Sequence, residues 1–278
     1  MVIYNGMMNV ISPLPSQKSY FLNTQKRQRH FYKYEKVFRD LPHGRPPDRE
    51  VEHNIVFEEG TSPIQIPPYR HPKKFWDEIY KSIRELLDLG LIIPSSIPYA
   101  SSVVLVKKKD GILRMCIDFR DLNKKTIKNR YPIPRIDELF RAKYFSKINL
   151  RSGYHQIRVK EEDVQKTAFR CDYGHFEFLV MPFGLTNALA KFQACMNIIF
   201  CKQLRRFVLA FFDDILIYSK TWEEYLQHLE IVLKTLQEQS LYVNMYKCEF
   251  GMKELLYIGN IIGKDGVKVH MEKMRDIL

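Results

Sequence analysis

The sequence is poor in the features that mark secreted and membrane proteins. Its five cysteines are an odd number and none of them stand in a C-x-x-C spacing, which argues against a disulfide framework or a structural zinc site. No apolar run approaches the ~20 residues that span a bilayer, and the first residues lack the basic and apolar segments of a secretory signal. We therefore expect an intracellular protein, cytoplasmic or nuclear, without a transmembrane segment.

Acidic residues are too few to balance the basic ones. The 278 residues include 44 lysines and arginines against 32 aspartates and glutamates, which gives a net charge of +12. A surplus of this size favours an anionic partner such as nucleic acid, although a merely basic, solvated surface would give the same count. The hydrophobic content of 45% is enough for a substantial core, in one large domain or two smaller ones.

Regular hydrophobic periodicity is missing from about the first 70 residues, which are rich in proline. Within them lies a basic cluster, KRQRHFYKYEK at 26–36, which is consistent with a nuclear signal, with an RNA-contacting arm or with a solvated linker. We expect residues 1–35 to be a flexible N-terminal segment, and residues 36–74 to be an extended, proline-rich approach to the folded part.

From residue 75 onwards the pattern becomes periodic. Apolar residues at helical spacing predict helices over 76–89, 187–204 and 226–236. Apolar runs bounded by turn residues predict strands at 101–108, 112–119, 145–150, 154–160, 255–262 and 267–270. The stretch 207–219 predicts a strand, a tight turn and a second strand, and hairpin turns are predicted at 110–111 and around 172–174. The order strand, helix, strand, strand, helix, strand predicts an α+β fold with helices on one face of the sheet.

Two adjacent carboxylates, Asp213 and Asp214, interrupt the apolar stretch FFDDILIYS. Continuous apolar strands are usually buried, and a carboxylate beside such a core is costly unless something neutralises it. Because the two charges repel each other, a divalent cation is the natural neutraliser, and oxygen ligands suit magnesium or manganese. The alternative is a solvent-exposed hairpin tip, where aspartate is a common turn residue.

Several residues elsewhere in the chain would suit a polyanionic ligand. The lysine run at 107–109 and Arg114 lie on a predicted hairpin and could hold phosphates. Gly184 would let a ligand approach the backbone closely, and Tyr154 and Phe183 offer planar surfaces for a sugar or a base. Each also has a simpler explanation, because lysines are common on exposed edge strands and aromatic residues are common in cores.

Long blocks of the sequence follow one another in a fixed order. They are LLDLGLIIPSSIPYASSVVLVKKKDGILRMCIDFRDLNKKTIKNRYPIPRIDELF, KINLRSGYHQIRVKEEDVQKTAFR, YGHFEFLVMPFGLTNALAKFQACMN, FFDDILIYSK and YKCEFGMKELLYIGNIIGKDGV. In these blocks the sequence resembles the reverse transcriptase domain of gypsy-type LTR retrotransposons, over about residues 36–278. The resemblance implies a right-hand polymerase fold with fingers at about 75–135 and a palm at about 136–265. The palm sheet would be a split βαββαβ unit, with the thumb and RNase H parts largely missing.

The resemblance also implies roles for individual residues. Asp213 and Asp214 correspond to the metal-binding catalytic carboxylates of the polymerase signature. Lys108 and Arg114 would contact the incoming triphosphate, Tyr154 would exclude a ribose 2′-hydroxyl, Phe183 and Gly184 would line the nucleotide pocket, and Tyr257, Ile258 and Gly259 would position the primer end. The implied reaction adds dNTPs to a primer on an RNA or DNA template with the help of two Mg²⁺ or Mn²⁺ ions. The resemblance implies no oligomeric state.

One position departs from the family pattern. Relatives read K-I-D-L-R-S-G-Y where this sequence reads KINLRSGY at 147–154, so that Asn149 stands in place of the first catalytic aspartate. An amide oxygen brings no charge, and the NH₂ group is a donor that faces a metal poorly. No aspartate or glutamate occurs from 141 to 160 to replace the carboxylate. We therefore expect an RNA-directed DNA polymerase domain with impaired activity, or, as the alternative, a catalytically dead nucleic-acid-binding remnant of the same fold.

Overall fold

The computed structural model describes residues 31–107, 111, 113–129, 142–211, 214–257, 259–264 and 266–269. Within these ranges the helices are α1 (Trp76–Asp88), α2 (Arg120–Lys125), α3 (Ala188–Ile199) and α4 (Trp222–Glu238). The strands are β1 (Ile92–Pro94), β2 (Ser101–Lys107), β3 (Leu113–Asp118), β4 (Tyr144–Asn149), β5 (Phe169–Cys171), β6 (Gly174–Phe178), β7 (Val208–Phe211), β8 (Asp214–Ser219), β9 (Glu249–Met252), β10 (Glu254–Tyr257), β11 (Asn260–Gly263) and β12 (Gly266–Val269). No helix in these ranges is both long enough and apolar enough to cross a membrane.

The sheet that positions the candidate site has four strands in the order β7-β8-β4-β9, and every neighbouring pair is antiparallel. Along the chain these strands alternate with two helices, as β4, α3, β7, β8, α4 and β9. The first strand, β4, therefore lies between β8 and β9, which makes the unit a split βαββαβ motif. The predicted α+β fold is confirmed.

One face of this sheet packs against the helices. Side chains alternate between the two faces along each strand, and Ile148 and Ile217 share a core cluster with Leu233 of α4. A buried hydrogen bond of 2.7 Å joins the hydroxyl groups of Ser146 and Tyr225 across the same layer. The apolar side of α4 has the helical spacing that the sequence predicted, because leucines recur there every three or four residues.

The opposite face of the sheet is covered by a second, smaller sheet of strands β10, β11 and β12. Phe145 and Leu216 form a separate core cluster there with Leu255, Tyr257 and Ile262. A different layer therefore packs against each face of the four-stranded sheet.

A five-stranded sheet has the order β1-β6-β5-β2-β3. The hairpin from β2 to β3 pairs Lys107 with Leu113, and the hairpin from β5 to β6 pairs Cys171 with Gly174, as the turn residues predicted. Helix α1 is followed by Gly90, whose φ of +65° is the left-handed conformation that commonly ends a helix.

Three sequence-based predictions are wrong in detail. The predicted strand at 255–262 is two antiparallel strands, β10 and β11, because Gly259 with its φ of +69° allows a turn between them. The predicted strand at 154–160 begins as a 3-10 helix, Gly153–Gln156, because local bonds such as His155 N–H to the Ser152 carbonyl (2.8 Å) satisfy the backbone without a strand partner. The predicted helix at 187–204 ends at Ile199. After it the chain turns back towards β7, where the Arg205 N–H donates to the Val208 carbonyl (3.0 Å).

Residues 31–74 have little regular structure but are tied to the rest of the fold. The Arg49 guanidinium donates to the backbone carbonyls of Gln156 and Gln239, each at 2.7 Å. The Ile55 N–H donates to the buried carboxylate of Asp163 at 2.9 Å. The side chains that this segment buries in the main core are Tyr34, Val37 and Ile55.

The packing of α4 yields a stability prediction. Leu233 is fully buried, whereas Ile231 on the same helix is 39% exposed. Replacing Leu233 with alanine should lower the free energy of unfolding by about 2–5 kcal/mol, because a buried cavity is left behind. Ile231→Ala should change it by much less, as measured by denaturant unfolding followed by circular dichroism. Equal losses in the two variants would contradict the assignment of the buried helix face.

Candidate functional site

Asn149 and Asp214 face each other at the end of the four-stranded sheet. They are directly paired in the antiparallel register of β4 and β8, and the Asn149 Nδ2 donates to the Asp214 Oδ1 at 2.9 Å. A carboxylate only accepts hydrogen bonds, so the amide must turn its NH₂ group towards Asp214. Asp213 lies outside the described residues.

Strand alternation explains which way these two side chains point. Asn149 follows Phe145 and Asp214 precedes Leu216 at even spacing along their strands, and both apolar residues lie in the core cluster on the face away from the helices. The acidic end of β8 therefore shares a face with the layer of β10–β12.

The backbone of Asn149 is fixed on the side away from β8. Its N–H donates to the sulfur of Cys248 at 3.3 Å, and its carbonyl accepts from the Asn244 N–H at 2.9 Å. Cys248 is completely buried. This cysteine was not predicted to belong to the site, because nothing in the sequence relates a lone cysteine to a residue about a hundred positions away.

Tyr154 reaches its place through a tight turn after β4. A Cβ atom at Gly153 would lie 3.1 Å from Cε2 of Phe192 and 3.3 Å from Cβ of Leu150, so only glycine lets the turn approach α3 so closely. The Tyr154 ring then contacts Phe192 at a centroid distance of 5.4 Å and Phe183 at 4.7 Å.

The structure brings together four of the residues predicted to contact the nucleotide, namely Arg114, Tyr154, Phe183 and Gly184. The Arg114 guanidinium lies 5.8 Å from the centre of the Phe183 ring, and this ring is 39% exposed. Gly184 has a φ of +95°, which favours glycine, and its carbonyl accepts from the Asn123 side chain of α2 at 2.7 Å. Lys108, the other residue predicted to contact phosphates, lies outside the described residues.

His155 joins this cluster, although no pattern in the sequence singled it out. Its ring lies 5.6 Å from the ring of Phe183. Burial, with a further contribution from the positive charge of Arg114, lowers the pKa of His155 to about 4. The imidazole is therefore neutral at neutral pH, and the positive charge beside the aromatic surface belongs to Arg114.

Of the residues predicted to position a primer, Tyr257 ends β10 and Gly259 lies in the turn before β11. The side chain of Tyr257 is only 1% exposed and packs in the core cluster with β11. Its buried hydroxyl has no hydrogen-bond partner among the described residues, and burial, followed by the charge of Asp214, raises the Tyr257 pKa. Gly259 is partly exposed with a φ of +69°, and Ile258 lies outside the described residues.

Lys147 connects this turn to the palm sheet. Its ammonium group donates to the Leu256 carbonyl at 3.2 Å and forms an ion pair with Glu249. The nearest lysine on the Asn149 face of β4 is thus already engaged by β9 and β10.

The possible metal ligands at this strand end are carboxylate and amide oxygens, which are the type of ligand that hard divalent cations prefer. They are few in number, however. In the described part of the chain, no group of three or more His, Cys, Asp and Glu side chains could hold a metal ion. Asn149 offers one neutral oxygen, because its NH₂ group is bonded to Asp214.

The fold is that of a right-hand polymerase, with fingers and palm. The structure matches that of a foamy viral protease–reverse transcriptase in complex with an RNA/DNA hybrid, with a TM-score of 0.80 and 24% identity, over 96% of this chain and 38% of that one. A second structure of a foamy viral protease–reverse transcriptase, in complex with double-stranded DNA, gives a TM-score of 0.81 at 24% identity, over 95% of this chain and 49% of that one.

Residues 106–262 match the family described as reverse transcriptase (RNA-dependent DNA polymerase). The chain belongs to this family, and the resemblance to gypsy-type elements is confirmed. It is 39% identical over 227 residues to the Pol polyprotein of transposon 297 from Drosophila melanogaster, covering 78% of this chain and 21% of the relative.

Two further relatives give the same result. The Pol polyprotein of transposon gypsy from Drosophila melanogaster is 37% identical over 211 residues, covering 72% of this chain and 20% of the relative. The transposon Tf2-3 polyprotein of Schizosaccharomyces pombe is 35% identical over 236 residues, covering 84% and 18%. The chain thus spans about a fifth of the length of these polyproteins.

The cluster around His155 yields a prediction about its ionisation. The unfolded chain takes up this proton near pH 6.5 and the folded chain near pH 4, so the stability that His155 contributes is lost as the pH falls through this window. Arg114→Ala should raise the His155 pKa in part, because burial remains the main cause, whereas Arg114→Lys should leave it near 4. NMR titration of the imidazole protons measures both. A pKa near 6.5 in the unaltered chain would contradict the prediction.

Proposed function

We propose that this chain is the fingers and palm of a retrotransposon reverse transcriptase, which binds a primed RNA or DNA template and a dNTP and polymerises DNA with reduced efficiency. The observation that carries the proposal is the hydrogen bond between Asn149 and Asp214. It stands at the strand end where the resemblance places the catalytic carboxylates. The fingers at about 75–135 and the palm at about 136–265 are part of the same proposal.

Asp213 and Asp214 would hold Mg²⁺ or Mn²⁺, with two ions expected from the resemblance. When bound, such cations activate the attacking hydroxyl and stabilise charge on the departing phosphates. Asn149 would contribute a neutral oxygen where relatives contribute a negative charge. A loss of several kcal/mol in transition-state stabilisation is expected, and each ~1.4 kcal/mol is a tenfold loss in rate.

The cluster of Arg114, Tyr154 and Phe183 would receive the nucleotide. An exposed guanidinium can hold phosphate oxygens in a bidentate manner, and Lys108 would assist it. The Tyr154 ring, fixed between two phenylalanines, would exclude a ribose 2′-hydroxyl by contact. Phe183 and Gly184 would line the same pocket, and the turn at Tyr257, Ile258 and Gly259 would position the primer end.

Nucleic acid is the proposed macromolecular partner. The net charge of +12 supports an anionic ligand, and two structural neighbours are described in complex with an RNA/DNA hybrid and with double-stranded DNA. A cytoplasmic or nuclear location would give access to such partners.

A second candidate function is nucleic-acid binding without catalysis. The same bond favours it, because the Asn149 amide occupies an oxygen of Asp214 that a cation would use. The two candidates differ in primer extension and not in template binding, so the experiments below separate them.

Binding of a template–primer should be strongly salt-dependent. If about six phosphates are contacted, the affinity for an RNA/DNA hybrid should fall by about 10³-fold between 50 and 200 mM salt, because condensed counterions are released on binding. Fluorescence anisotropy of a labelled hybrid measures this loss. Because Arg114 is proposed to contact the nucleotide, Arg114→Ala should weaken binding of a dNTP to the protein–hybrid complex, whereas Lys234→Ala, which removes a positive charge on the exposed side of α4, should not. A flat salt response would argue against phosphate contacts.

Primer extension tests the role of Asn149. The unaltered chain should extend a primed RNA template with Mg²⁺ or Mn²⁺ slowly or not at all, and Asn149→Asp should raise the rate by at least tenfold, since it restores a charged metal ligand. Asn149→Ala is the matched control and should not extend faster than the unaltered chain. Rapid extension by the unaltered chain would disprove impairment, and failure of Asn149→Asp to extend would favour binding without catalysis.

A further inference from the structure

The contact between Asn149 and Asp214 also has a consequence for how the fold is held together. The two residues are directly opposite on neighbouring antiparallel strands, where side chains interact most strongly across a sheet. Like charges at such a pair of positions are destabilising. A neutral amide that donates to the carboxylate is a stabilising combination at the same two positions.

Asp214 has no competing cation among the described side chains. Lys147, two residues before Asn149 on the same face of β4, is paired with Glu249 and bonded to the Leu256 carbonyl. The buried Tyr257 hydroxyl forms no hydrogen bond to Asp214. Among the described side chains, the partner of Asp214 is the Asn149 amide, which donates a hydrogen bond to its carboxylate.

The bond is also well anchored at its Asn149 end. Cys248 and Asn244 hold the backbone of this residue from the β9 side, while the strand pairing holds it from the β8 side. Little freedom is left for the Asn149 backbone, so the donor stays in front of Asp214 without the help of a ligand.

We propose that Asn149 is a positioning residue that holds Asp214 in place of a cation, so that this end of the palm sheet is stable in the absence of divalent metal. The inference rests on the proposed function only in taking Asp214 as part of a cation site. In a chain with aspartate at both positions, the same strands would need a cation to offset the repulsion.

Thermal unfolding with and without divalent cation tests the proposal. In EDTA, the melting temperature of Asn149→Asp should be lower than that of the unaltered chain by about 2–4 °C. Millimolar Mn²⁺ should recover most of this loss, while KCl at matched ionic strength should not. Mn²⁺ should raise the melting temperature of the unaltered chain by less than it raises that of Asn149→Asp, because the amide already offsets the charge of Asp214. Equal melting temperatures for both chains in EDTA would overturn the proposal, as would a larger Mn²⁺ effect on the unaltered chain.

An exchange of the two residues is the control for simple loss of folding. Asn149→Asp combined with Asp214→Asn moves the donor to β8 and keeps one amide and one carboxylate at the pair. This double variant should melt close to the unaltered chain in EDTA and should respond to Mn²⁺ no more than the unaltered chain does. If both Asn149→Asp and the exchanged pair fail to fold in any buffer, shape and not charge governs the position, and the proposal is wrong.

These measurements separate the inference from the proposed function. Melting temperatures do not depend on catalysis, so an inactive protein can still show the expected cation dependence. Conversely, extension by Asn149→Asp without any cation-dependent stability would support the proposed function and overturn the inference.

Discussion

The antiparallel pairing of β4 with β8 is the constraint on which the rest of the site depends. Its register puts Asn149 opposite Asp214, and it gives the sheet one face for the helices and another for β10–β12. A one-residue slip would turn both side chains into an apolar core. The apolar residues that alternate with them therefore fix the geometry of the polar pair.

The aromatic cluster is held by a different kind of constraint, namely close approach of backbone to ring. A side chain at Gly153 would crowd the ring of Phe192, and Gly184 takes a backbone conformation that other residues adopt with strain. The backbone that carries Tyr154 and Phe183 is therefore constrained at Gly153 and Gly184, while the charge of Arg114 beside Phe183 lies at the surface. Such supports suit a pocket that must hold a ligand in one orientation.

Many of the helices, strands and hairpins could be predicted from the sequence, because they depend on hydrophobic periodicity and on the residues in the turns. The hairpins at Gly111 and Gly174 and the apolar face of α4 have local signals. The polar partners of the site do not. Cys248 contacts Asn149 only because β4 pairs with β9. The hydrogen bond from the Asn149 amide to Asp214 depends on the side-chain rotamers of two residues that are far apart in the sequence. The burial of Tyr257 likewise results from the packing of one sheet on another. The residues next to Tyr257 in the sequence do not predict this packing.

The N-terminal segment has a consequence for how such a domain is inherited and cut. The family match covers 106–262, yet the main core includes Tyr34, Val37 and Ile55, and Arg49 ties two distant carbonyls together. The region that the family model matches is therefore smaller than the folded unit. A recombination or cleavage event placed at the edge of 106–262 would separate the four-stranded sheet and its helices from side chains that fill the same core, even though the candidate site residues within that range would be kept.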